Sequence, residues 1–106
     1  VDNITFVTNS NEDLINSIIK KFDNQEFSLN IVLSALNNYN IKYNTNLSID
    51  EFAKSISEYA SAKDKNGKLI ADETIAEAIH DYYLHKVNMN KASLEIVNVI
   101  NLRLNK

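Results

Sequence analysis

Three lysines, Lys63, Lys65 and Lys68, crowd one short stretch of this chain around Asn66-Gly67, against a single acid, Asp64. Gly67 is the only glycine of the chain, and Asn-Gly is the strongest two-residue signal for a tight β-hairpin, since both positions of a type I′ turn need φ > 0. The stretch is the densest positive spot in a chain of net charge -3. Ammonium groups on a projecting turn suit phosphate oxygens. The other groups able to do chemistry are less suggestive. His80 and His85 stand five apart, where a helical metal pair needs four. Asp81 and His85 are four apart and suit a helix-surface pair. No serine lies in a G-x-S-x-G context, and one glycine cannot build a Gly-rich phosphate loop. A non-enzymatic protein without cofactor or metal is therefore expected.

The elements that position these groups follow from apolar spacing. Residues 3–8 alternate loosely and predict a short strand. Leu14, Ile15, Ile18, Ile19 and Phe22 predict a helix over residues 11–22, capped by Ser10. Leu29, Val32, Leu33, Leu36 and Tyr39 predict a second helix with Ser28 as its cap. Its other side carries Asn30, Ser34, Asn37 and Asn38. Such a face is either solvated or an amide reader of adenine N6 and N7. Ser48 and Glu51 form a capping box for a third helix burying Ile49, Phe52, Ala53, Ile56, Tyr59 and Ala60. Asp50, Glu51 and Glu58 make its outside acidic, which disfavours a place deep in a major groove.

Asp72 is the expected cap of a fourth helix with Ile75, Ala76, Ala78, Ile79, Tyr82, Tyr83, Leu84 and Val87. A helix apolar over most of its circumference must be covered on more than one side. Residues 94–104 fit a helix with a thin polar stripe, Glu95, Asn98 and Asn105, or an alternating strand; helix formers at 91–95 and a cap at Ser93 favour the helix. The apolar positions Tyr82, Tyr83, Val87, Ile96, Ile100 and Leu104 are expected to form a homodimer interface. The fold class expected is mainly α, with five helices, a short β-hairpin, a core over residues 11–71 and a helical extension over 72–104.

The three helices followed by a basic hairpin resemble the winged helix-turn-helix family, whose wing contacts DNA backbone. The resemblance covers residues 11–71. It implies a DNA-binding accessory or regulatory protein, with Lys63, Lys65, Asn66 and Lys68 on the wing, Asn30, Ser34, Asn37 and Asn38 near the bases, and Lys42 and Lys54 completing the set. The chain departs from that family in the long link between its second and third helices and in the acidic outer face of the third.

A second resemblance covers residues 62–73. With Gly67 as the loop glycine, Asp64 and Asn66 match the third and fifth ligand positions of an EF-hand, Leu69 the apolar eighth, and Glu73 the twelfth. Ala62 stands where that family has a carboxylate. The alternative function is a helical protein-interaction module, such as an adaptor or a degenerate EF-hand-like subunit, which the acidic balance and the broad apolar helices also suit.

Composition bounds the rest. A chain of 106 residues is one domain and buries roughly 65% of its unfolded surface. There is no cysteine, so disulfides and thiolate metal sites are excluded. No apolar run approaches the ~20 residues of a membrane span, and the first ten residues carry no signal-peptide pattern, so a cytoplasmic location is expected. Seventeen asparagines and thirteen isoleucines against one arginine suggest a low-GC genome.

Overall fold

A computed structural model of the chain describes residues 25–104. The strand expected at residues 3–8 and the helix expected at 11–22 lie outside them. Four α-helices are described, and we number them α1, Gln25–Tyr43; α2, Ile49–Ile56; α3, Ala71–His85; and α4, Lys91–Leu104. Short 3-10 turns at Tyr59–Ser61 and Lys86–Asn88 connect them.

The interior is made by small and β-branched side chains at helical spacing. Ile31, Val32 and Ala35 come from α1, Phe52 and Ala53 from α2, Ala71, Ile75, Ala78 and Ile79 from α3, and Ala92, Ile96, Val97, Val99 and Ile100 from α4. Because α3 touches all three other helices, its broad apolar face is covered from several sides within one chain. Ile96 and Ile100, expected at a dimer interface, are fully buried in this core. The segment 94–104 is helical, as its helix formers suggest.

Local chemistry sets the helix ends. Asn44 adopts a left-handed φ of 55° after α1, and the Thr45 N–H bonds the Asn40 carbonyl at 3.0 Å, closing the helix in a Schellman manner. Asn tolerates this conformation better than most residues. The Asn40 side chain then holds the loop, accepting from Leu47 N–H at 3.0 Å and Thr45 Oγ1 at 2.8 Å. The capping box forms as expected: Glu51 N–H bonds Ser48 Oγ at 3.1 Å, and Ser48 N–H bonds Glu51 Oε1 at 2.8 Å.

Three expected caps are corrected. Ser28 lies inside α1, fully buried, and its hydroxyl donates to Asp72. Asp72 therefore serves a tie between α1 and α3, and α3 begins at Ala71 without a side-chain cap. Likewise Ser93 is buried and bonds Asp81, while Asn90 Oδ1 accepts from Ala92 N–H at 2.8 Å to start α4.

The expected β-hairpin is also corrected: among the described residues there is no strand or sheet, only an isolated bridge between Lys63 and Leu69. The turn is not type I′, because Gly67 has φ 79° while Lys65 and Asn66 do not have positive φ. Asp64 sets this geometry. Its carbonyl accepts from Gly67 N–H at 2.9 Å, and its Oδ1 accepts from Asn66 N–H at 2.8 Å and Lys68 N–H at 3.0 Å. Asp is favoured at the first position of a common β-turn because its carboxylate makes such bonds. The arms cannot lengthen, since α3 starts two residues after Leu69. The fold is thus helical, with a tight knuckle where a wing was expected. Among the described residues no helix is long and apolar enough to cross a membrane.

Candidate functional site

Helices α1 and α4 pack antiparallel. Lys91 lies over the Tyr43 ring at 4.9 Å, Lys42 meets Glu95, and Arg103 reaches Ser34 Oγ at 3.4 Å and the Phe27 ring at 5.8 Å. Chain numbers rise along one helix as they fall along the other. Between them an open groove of about 510 Å³ is lined by Asn38, Ile41 and Lys42 of α1 and by Glu95, Asn98, Asn101 and Leu102 of α4. Spacings of three and four residues put these side chains on facing sides of the two helices.

The groove combines two kinds of surface. Ile41 is 72% exposed and Leu102 65% exposed, so two large apolar side chains flank it. Glu95 lines the same groove with a side chain only 3% exposed, and its Oε2 accepts from Lys42 Nζ at 2.7 Å. The hydrogen bond that Lys42 donates to Glu95, and then the charge of Glu95, hold the ammonium above the usual lysine range, against the opposing effect of burial. Lys42 itself is half exposed. The second carboxylate oxygen, Oε1, accepts no hydrogen bond from the described residues. A buried carboxylate with one oxygen unserved is uncommon, since buried polar atoms are usually paired.

A second cavity, of about 200 Å³, lies between α2 and α3 and is lined by Ile56, Ser57, Glu77, His80, Asp81, Leu84 and His85. Its polar groups are mostly committed to the scaffold. Ser57 Oγ donates to Glu77 Oε1 at 2.9 Å. Asp81 Oδ1 meets His85 Nδ1 at 2.6 Å, and its Oδ2 accepts from Ser93 Oγ at 2.6 Å and Asn90 N–H at 3.0 Å. Burial pushes the Asp81 carboxyl up, but the bonds from Ser93, His85 and Asn90, with the attraction of His85, outweigh it and hold the carboxyl below its usual value. A carboxylate with three donors ties helices together; it is not poised to accept a proton from a substrate. Among the described residues no group of three or more His, Cys, Asp or Glu side chains is placed to hold a metal ion.

The residues singled out from the sequence divide between these places. Asn38 and Lys42 line the groove. Asn30 and Asn37 are exposed on α1, and Ser34 accepts from Arg103. Part of the polar face expected to read bases is thereby occupied by α4. Lys63 pairs with Asp50 at 3.3 Å, while Lys65, Asn66 and Lys68 are exposed on the knuckle and Lys54 is exposed on α2. Of the residues expected at a dimer interface, Tyr82 packs partly against the core and Tyr83 is exposed. Val87 is 94% exposed, and Leu104 closes α4.

Glu95 was not singled out as a site residue. Its signal was faint: one acid in the narrow polar stripe of an otherwise apolar helix. Its partner lies 53 residues away in sequence, beyond the reach of any local pattern. No family model, curated protein or solved structure matches the chain.

Proposed function

We propose that this protein is a non-enzymatic helical interaction module whose α1–α4 groove receives a segment of a partner protein. The observation that carries the reading is the exposure of Ile41 and Leu102 on either side of one groove. Large apolar side chains flanking a concave surface, with polar groups at its floor, are the usual make-up of a peptide-receiving groove. Asn38 and Asn98 offer amide donors and acceptors that suit the backbone of such a segment. Truncating anchor contacts of this kind typically costs more than 1 kcal/mol of binding.

The test is affinity capture from native cells with the wild type, an Ile41→Asp/Leu102→Asp variant and a Tyr83→Ser/Val87→Ser variant, all matched in Tm. The reading expects a partner held by the wild type and the α3-end variant and lost with the groove variant. A partner retained by the groove variant overturns it. A homodimer through Tyr83 and Val87 is compatible with this use of the groove, and sedimentation equilibrium of the two variants separates the surfaces.

One observation favours DNA as a second reading. Lys65 and Lys68 project from the knuckle without an ion pair among the described residues. Two free lysines on an acidic chain give weak affinity with a shallow salt dependence. Fluorescence anisotropy on duplex DNA at low salt, with Lys65→Ala/Lys68→Ala as control, decides it: binding unchanged by the substitutions excludes the knuckle.

A further inference from the structure

We infer that the α1–α4 groove recognises an arginine side chain of its partner, with Glu95 as the anchor. This inference rests on the groove being the docking face. The argument begins with Glu95 Oε1. The carboxylate is almost wholly buried, yet it lines the groove, and among the described residues it serves only Lys42, through Oε2. The second carboxylate oxygen, Oε1, suits a donor from the groove side.

The shape of the surroundings selects the donor. A guanidinium presents five N–H groups in a planar fork, so one edge can bond Oε1 while another reaches the side-chain oxygens of Asn38 or Asn98. An ammonium has no such spread, and Lys42 already fills the place an ammonium would take. The arginine methylenes lie against Ile41 and Leu102, as long basic side chains do on apolar surface. The chain's net charge of -3 favours a cationic partner at long range. Lys42 opposes the incoming charge, but its half-exposed ammonium is free to withdraw into solvent.

The probe is the peptide acetyl-Leu-Arg-Leu-amide, with a twin carrying citrulline, which keeps the shape and removes the charge. The readout is the side-chain amide resonances of Asn38, Asn98 and Asn101 in the ¹⁵N NMR spectrum of the full chain. The inference expects saturable shifts with the arginine peptide and binding about tenfold or more weaker with citrulline, as for a charge-assisted bond. Glu95→Gln is expected to abolish the preference, and Lys42→Met to tighten arginine binding by removing the competing cation. Should Glu95→Gln fail to fold, Lys42→Met and the citrulline twin carry the test. Equal binding of the two peptides, an unchanged preference in Glu95→Gln, or no saturable shift overturns the inference. If the native partner is nonetheless lost with Ile41→Asp/Leu102→Asp, the docking groove stands and only the arginine falls.

Discussion

Replacing Asp81 by alanine removes the acceptor that ties the end of α3 to the start of α4. Three donors lose their partner: Ser93 Oγ, the Asn90 N–H and His85 Nδ1. They are not equal. Ser93 is fully buried, so its hydroxyl is stranded and costs about 1–3 kcal/mol. Asn90 and His85 are exposed and recover water; the His85 pair, at helical spacing, contributes only about 0.2–0.5 kcal/mol. Asn90 also caps α4 and holds Ser55 O through Nδ2 at 2.6 Å, so its displacement loosens α2 as well. The expected total is about 2–4 kcal/mol, read by urea denaturation at 25 °C and pH 6. A Ser93→Ala cycle isolates the buried bond, with an expected coupling of about 1 kcal/mol.

The pH dependence supplies a second check. The folded carboxyl of Asp81 sits below its unfolded value, so its contribution is present above about pH 3.9 and is lost as pH falls through the folded pKa. The gap between wild type and Asp81→Ala is therefore full in the window above about pH 3.9 and shrinks on acidification below it. A variant within about 0.5 kcal/mol of wild type at pH 6, or a gap that stays constant on acidification below that window, would refute the reasoning.

Three further outcomes are expected. Gly67→Ala destabilises by about 1–2 kcal/mol, because the cost is the left-handed φ of 79° alone and no atom crowds the new Cβ; Gly67→Asn should cost measurably less. Ser48→Ala lowers stability by about 1 kcal/mol through loss of the α2 cap, visible as a fall in Tm with no change in the groove's NMR signals. The Lys42–Glu95 pair stabilises fully below the unfolded lysine pKa near 10.4, and this part is lost as pH rises through the raised folded value; Lys42→Met removes that alkaline limb from a Tm profile.

Apolar spacing carried the helix phases well. Ile75, Ala78 and Ile79 repeat at helical spacing and are buried as that spacing requires. The Ser48 box is a local device and was legible for the same reason. Polar residues in the helices misled where their partners are distant. Ser28, Asp72 and Ser93 look like caps, yet each bonds across helices, and no neighbour in sequence announces this. Asn-Gly signals a hairpin only if the residue before the turn is indifferent. Here Asp64 uses its own carboxylate on the turn's N–H groups and selects a different geometry. The groove was half visible. Asn38 and Lys42 were singled out for DNA, but the acid they face comes from the far end of the chain.

The central claim, that the α1–α4 groove holds a partner protein, is tested most directly by photo-crosslinking in native cells. A benzophenone amino acid is placed at Asn38 or Leu102 in the groove, and at Glu58 or Asn66 away from it. The account predicts one discrete protein adduct from both groove positions and none from the other two. Adducts confined to Glu58 or Asn66, or none from the groove in cells where the protein is present, would contradict it.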